Sequence, residues 1–142
     1  MSAPLYNREI LAAAVALAEY PRLDAPTRSG DLRAPLCGSR VQLDLELDAS
    51  GRVARTGLTV EACALGQAAA TIFARAAAGR DAADLATTHA ALAVWLGGAS
   101  DAAPDWPGIT LLAPARAYPA RHAAILLPFA LAAQLAAETA PA

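Results

Sequence analysis

Between Val41 and Asp48 apolar and polar residues alternate without a break: Val41, Leu43, Leu45 and Leu47 on one side, Gln42, Asp44, Glu46 and Asp48 on the other. A period of two is the mark of a half-buried strand, so Asp44 and Glu46 are expected on its solvated face. Asp48-Ala49-Ser50-Gly51 is turn chemistry, and Arg52 to Val60 returns as the hairpin partner, with the alternation slipping near Val53, where a bulge is expected. Helical patterning flanks this hairpin. Leu5 to Glu19, with Ile10, Val15 and Leu17 among alanines, predicts a helix closed by Pro21. After Cys63, ALGQAAATIFARAAAG predicts a second helix ending at Gly79, its apolar stripe carried by Leu65, Ala69, Ile72, Phe73 and Ala76.

Asp81 is placed to cap a short helix and Thr88 another that runs through Leu96 to Gly97-Gly98. Ile109 to Leu112 is a short apolar piece, and a last helix runs from Ala120 to about Glu138, with Pro128 inside it at a cost of up to ~3 kcal/mol unless it marks a kink. Residues 21–36, with Pro21, Pro26, Gly30 and Pro35 and few aliphatic residues, predict a loop that delivers Cys37; 99–108 predict another loop. Trp95 and Trp106 are expected as core and loop anchors. No repeat or low-complexity linker interrupts the chain, so the expectation is one α+β domain over residues 1–142.

Composition narrows the function classes. At this length ~68% of the unfolded surface can be buried, so neither disulfide nor metal is needed merely to fold. Eleven basic residues face 13 acidic ones, net charge -2, with no basic stripe, which argues against nucleic-acid binding. Every basic residue is arginine; without lysine, Schiff-base chemistry and a phosphate-loop lysine are excluded. The opening MSAPLYNREI does not read as a signal peptide. The longest apolar run, Ala123 to Ala133, is eleven residues and contains Pro128, short of the ~20 a membrane span wants. The expected setting is therefore a bacterial cytoplasm, where thiols stay reduced and a cysteine pair points to metal binding or reactivity before a disulfide.

The two cysteines carry the candidate chemistry. Cys37 lies between Leu36 and Gly38, and glycine beside a thiol lets a bulky reactant approach. Cys63 falls at a helix N-terminus, where the backbone dipole favours thiolate, although a cysteine there can equally serve as a small apolar packing residue. Because the hairpin runs out from Cys37 and back to Cys63, both thiols are expected at one of its ends. They form half of a four-ligand metal site. His89 and His122 are further donors, each more readily explained as a solvated or locally bonded imidazole. No CxxC, HExxH, GxSxG or GxxxxGK[ST] motif is present.

In this order the motifs resemble the iron–sulfur cluster assembly scaffolds called NifU-like, IscU or SufU proteins. LYNREIL (5–11) is similar to the family's opening helix, RLDAP (22–26) to the segment after it, and LCGSRVQLDLELDASGRV to its first ligand loop and hairpin. EACALGQAAATIFA is similar to the second ligand at its helix, and YPARHAAILLPFAL to the helix bringing the third. The resemblance implies a SufE/NifU-like α+β fold, a small antiparallel sheet of about three strands packed on one side by several helices. It puts Cys37 and Cys63 at the first two cysteine positions, Ser39 where the family has aspartate, and Ala124 at the third cysteine, with His122 two residues before it.

The implied function is iron–sulfur cluster assembly, as scaffold or sulfur acceptor, with Cys37 the sulfur-accepting thiol. The implied cargo is a labile iron–sulfur cluster or zinc or iron, with Cys37, Cys63, His122 and Ser39 as candidate metal ligands; the reduced ligand set is equally compatible with isolation in a metal-free form. Partners would be a cysteine desulfurase and recipient apoproteins, without nucleic acid or membrane, and a homodimer is compatible with this reading. An enzyme in its own right is not expected. Two alternatives stand beside it: a non-catalytic paralogue that docks to and regulates the assembly machinery, and a thiol redox protein cycling a Cys37–Cys63 disulfide.

Overall fold

A computed structural model describes residues 4–138. Residues 1–3 and 139–142, and with them part of the opening stretch read for a leader and the outer ends of the expected 1–142 domain, lie outside the described residues. Strands β1 (Arg28–Arg33), β2 (Arg40–Leu47) and β3 (Val53–Glu61) form an antiparallel sheet in the order β1-β2-β3. Helices α1 (Arg8–Ala16), α2 (Ala64–Ala76), α3 (Ala82–Leu96) and α4 (His122–Ala137) accompany them. Helices α2 and α4 lie against the sheet, α1 packs on α2, and α3 on α4, giving the expected α+β arrangement.

The β2–β3 hairpin follows from the alternation. Val41 pairs with Val60, Leu43 with Leu58 and Leu45 with Thr56, and Val41, Leu43 and Leu45 are buried. The expected bulge is present: Glu46 pairs with Arg55 but Leu47 with Val53, so Ala54 is the extra residue.

Two expectations on this sheet are corrected. Within the stretch read as a loop, Arg28–Arg33 is a strand, pairing with Arg40–Leu45 of β2. Its sequence, RSGDLR, lacks apolar alternation because it is an edge strand; Gly30 supplies its contact with α4, where an added Cβ would fall 2.9 Å from Leu135 Cδ2. Asp44, read as solvated, is 1% exposed. The segment after α1 crosses that face of the sheet, and the Asp44 carboxylate accepts from Arg22 Nε (2.6 Å) and Nη2 (2.9 Å), the Ser29 hydroxyl (2.6 Å) and the Leu23 backbone N–H (3.0 Å).

Gly57, opposite Asp44 in the register, makes that crossing feasible. A Cβ at Gly57 would meet Pro21 O at 2.5 Å and Leu23 N at 2.9 Å, and the adjacent Leu58 N–H donates to Tyr20 O at 2.9 Å. Gly57→Ala would push backbone against backbone, and the expected loss is ~1–3 kcal/mol, read as a midpoint lowered by ~3–10 °C in thermal unfolding. An unchanged midpoint would mean that the segment is not held there.

The helices follow their caps. Asn7 Oδ1 accepts from Ile10 N at 2.9 Å to start α1, which closes in a 3₁₀ turn (Leu17–Glu19) before Pro21. Asp81 and Asp84 form a reciprocal capping box on α3. The two short helices expected between Asp81 and Leu96 are one: nothing between them breaks the helix, and Thr88 is buried in its interior rather than acting as a cap. Gly98, at φ 83°, adopts the left-handed backbone that follows the end of α3. The Ile109–Leu112 piece belongs to a 3₁₀ stretch, Ile109–Ala117, and the last helix starts two residues later than expected, after the 3₁₀ turn Pro119–Arg121.

Phe73, Trp106 and Phe129 form an aromatic cluster at the centre of the core, and Trp106 Nε1 donates to Ile72 O at 2.9 Å. Pro119–Ala137 is 19 residues long and apolar enough, by length and composition alone, to cross a membrane. In the fold its buried Ile125, Leu127, Phe129, Leu131 and Leu135 serve the core. Pro128 lies well inside α4 and is buried; it has no N–H to donate to the Ala124 carbonyl one turn earlier.

Candidate functional site

Cys37 sits in the connection between β1 and β2. That loop is closed by Gly38 N–H to Ala34 O (2.9 Å) and Ala34 N–H to Ser39 O (2.8 Å), and Gly38 takes the left-handed backbone the tight turn needs, at φ 73°. A Cβ on Gly38 would have nothing within 4 Å, so the approach to the thiol is open. Cys63 follows the end of β3 and is the N-cap residue of α2. Since Arg40, the first residue of β2, pairs with Glu61, the last of β3, both cysteines emerge at the same end of the hairpin.

They line one cleft of about 280 Å³. Gly38 and Ser39 form one wall with Cys37; Glu61 and Ala62 lead to Cys63; Ala120, Arg121 and Ala124 close it from the start of α4. Both thiols are free, Cys37 exposed and Cys63 half-buried. Cys37 Sγ and Ser39 Oγ are hydrogen-bonded at 3.2 Å; when the thiol ionises, the hydroxyl is the donor. That hydroxyl first, and then the Ser39 backbone N–H, hold the Cys37 thiol below the ordinary thiol range; partial burial opposes them and the Arg121 charge adds to them. Burial and then the neighbouring Cys63 push the Tyr6 hydroxyl above the usual phenol range.

The structure thus brings together Cys37, Ser39, Cys63 and Ala124. It does not bring in His122, whose Nε2 lies 2.9 Å from Ala115 O and which does not line the cleft. The difference follows from helical geometry: residues two apart lie on different faces, so if Ala124 looks into the cleft His122 looks away. Sequence reasoning passed over Tyr6, Glu61 and Arg121. Tyr6 and Arg121 lie within LYNREIL and YPAR, segments read for their helices rather than for their side chains.

As a metal site the donor set is short. Among the described residues no three His, Cys, Asp or Glu side chains converge on a point where they could hold an ion. The cleft offers two thiols, the Glu61 carboxylate on its rim and a serine hydroxyl already engaged with one of the thiols, whereas structural zinc and iron–sulfur clusters take four ligands.

A three-stranded antiparallel sheet with helices stacked on one face and two thiols at the open end of its hairpin defines a small α+β domain with a paired-thiol cleft. No protein-family model matches the sequence, and no curated protein matches it. Among solved structures, the N-terminal part of a nitrogen-fixing NifU-like protein from Brucella abortus is 32% identical, with a TM-score of 0.83, over 92% of this chain and 91% of that one. A protein described as an iron–sulfur cluster assembly scaffold for the SUF system, from thermophilic Fervidobacterium islandicum, shares the fold at 14% identity, with a TM-score of 0.79 over 93% of this chain and 96% of that one. The chain belongs to the NifU-like scaffold family.

Proposed function

We propose that this protein works in cytoplasmic iron–sulfur cluster assembly, accepting sulfur at Cys37 from a cysteine desulfurase and holding iron, zinc or a labile cluster through Cys37 and Cys63 for delivery to recipient apoproteins. The observation that carries the reading is the pair of free thiols lining one cleft of a NifU-like fold, one of them exposed on a glycine-flanked turn. In the sulfur-accepting step the Cys37 thiolate attacks the terminal sulfur of the desulfurase's cysteine persulfide. A new S–S bond forms on Cys37, the desulfurase cysteine leaves as thiolate, and a persulfide remains on Cys37. The Ser39 hydroxyl holds the attacking sulfur, and the Arg121 guanidinium is the positive charge in the cleft wall. The cluster is cargo; its remaining ligands come from outside this chain's own pair of thiols.

The test is anaerobic incubation with a desulfurase and cysteine, followed by iron and sulfide. The expected results are a mass gain of one sulfur atom on Cys37, absent in Cys37→Ser and retained in Cys63→Ser, and a cluster chromophore that requires both cysteines. Gaining neither persulfide nor chromophore would refute the proposal. One observation favours a second reading, a docking paralogue that regulates the machinery: Ala124 puts a methyl group where the family resemblance places a thiol. Capture of the desulfurase by parent and Cys37→Ser alike, with no sulfur acquired by the parent, would decide for it.

A further inference from the structure

A protein that passes sulfur to Cys37 must bring its persulfide within bonding reach of the Cys37 sulfur, so the residues on either side of Cys37 lie inside the contact it makes. On one side stands Gly38, which offers only room: a Cβ there would have nothing within 4 Å. On the other stands Leu36, 102% exposed, more than any other large apolar side chain among the described residues. Its place is held. Leu36 and Cys37 form the tip of the β1–β2 turn, which Pro35 enters with a fixed φ and which the bonds from Gly38 N–H to Ala34 O and from Ala34 N–H to Ser39 O close. Leu36 takes no part in the core, and it does not line the thiol cleft, whose wall on this side is Cys37, Gly38 and Ser39. A small molecule seated in the cleft therefore leaves Leu36 in water, whereas a protein reaching Cys37 covers it. An aliphatic side chain presented on a closed turn loses little freedom when covered and gains the burial of its whole apolar area. Apolar residues at the centre of a contact are where such burial counts.

We infer that Leu36 is the apolar anchor by which this chain recognises its sulfur donor: it seats in an apolar socket on the desulfurase, beside that enzyme's persulfide, and so sets which donor protein can load Cys37. The inference rests on the reading of Cys37 as sulfur acceptor and adds to it the chemistry of the donor's surface. The transfer itself is unchanged, with the new S–S bond on Cys37 and the donor cysteine leaving as thiolate. Leu36 is a positioning residue. It brings the two sulfurs together and leaves the reactivity of the thiol to Ser39.

The test compares two sulfur donors on the full chain: a cysteine desulfurase supplied with cysteine, and free cysteine persulfide. The variants are Leu36→Ser, Leu36→Gln and Leu36→Met, all uncharged so that the field at the thiol is kept, and all at an exposed position where the thermal midpoint should stay at the parent's. With the desulfurase, Leu36→Ser and Leu36→Gln should each raise KM for the acceptor chain by ~10–100-fold with kcat little changed, and Leu36→Met should return it to near the parent's value. With free cysteine persulfide all four chains should gain one sulfur on Cys37 at the same rate, and all four should react alike with iodoacetamide. Equal loading of Leu36→Ser and parent by the desulfurase would overturn the inference and leave sulfur acceptance at Cys37 standing. Slower loading of Leu36→Ser by both donors would also overturn it, by showing that Leu36 acts on the thiol and not on the partner. A parent that takes no sulfur from the desulfurase would remove the proposed function, and the anchor with it.

Discussion

A chain carrying both Ser39→Asp and Ala124→Cys is expected to retain zinc or iron through anaerobic desalting, where the parent loses it. The reason is where those positions lie. Both line the cleft with Cys37 and Cys63, so the two changes would bring a carboxylate and a third thiolate to a site that has only two thiols. Ala124 packs against Gly66, where an added Cβ would come 3.3 Å from Ala124 Cβ; with no side chain on Gly66, a sulfur on residue 124 has room beside it. Structural zinc sites gain ~10–16 kcal/mol from four ligands, so each added ligand should tighten binding by about a hundredfold. The readout is metal per chain, expected to reach one in the double variant because all four ligands then come from one chain. Retention no better than the parent's would mean that the cleft is not where metal binds.

The same variant separates two uses of Cys37. Before metal arrives, an aspartate at 39 removes the hydroxyl donor and places a negative charge beside the thiol, disfavouring thiolate. The native Ser39 does the opposite. This chain's cleft therefore suits a thiolate that attacks more than a preformed cage that retains an ion, which is why the proposed function puts sulfur acceptance at Cys37 first.

How much of this was legible in the sequence depended on whether a residue's role is local. The hairpin, its bulge and the emergence of both cysteines at one end follow from alternation and turn chemistry within a single stretch. β1 did not, because an edge strand bonded on one side and packed through Gly30 carries no apolar alternation. The break expected before Thr88 disappeared because packing on α4 overrides a weak local cap. In the site, Cys37 and Cys63 were marked by residue type and turn context, whereas Tyr6, Glu61 and Arg121 arrive from three separate elements and become neighbours only on folding. Asp44 is the sharpest case. Alternation correctly put it on the face of β2 away from the helices, but it could not show that Pro21–Leu23 comes back to cover that face.

Asp44→Asn is accordingly expected to cost ~2–3 kcal/mol at neutral pH, a moderate value for a buried carboxylate because its partner Arg22 keeps 40% of its side chain in solvent. The Arg22 guanidinium first, then the Ser29 hydroxyl and the Leu23 N–H, hold the Asp44 carboxyl down to about 2 against the burial that would raise it. Unfolded aspartate titrates near ~3.9, so the unfolded chain takes up the proton first as pH falls. The stabilisation from ionised Asp44 is therefore complete above about pH 5 and is lost between about pH 4 and pH 2. The parent should lose stability steeply through that window in denaturant unfolding, the Asn variant less so, and the gap between them should narrow towards pH 2; parallel profiles would show that Asp44 is not ionised and bonded as described. Asp44 does not line the thiol cleft, so under conditions where the variant is folded its acquisition of sulfur at Cys37 should match the parent's. A variant that is folded yet fails to take up sulfur would instead link the Pro21–Leu23 crossing to the cleft.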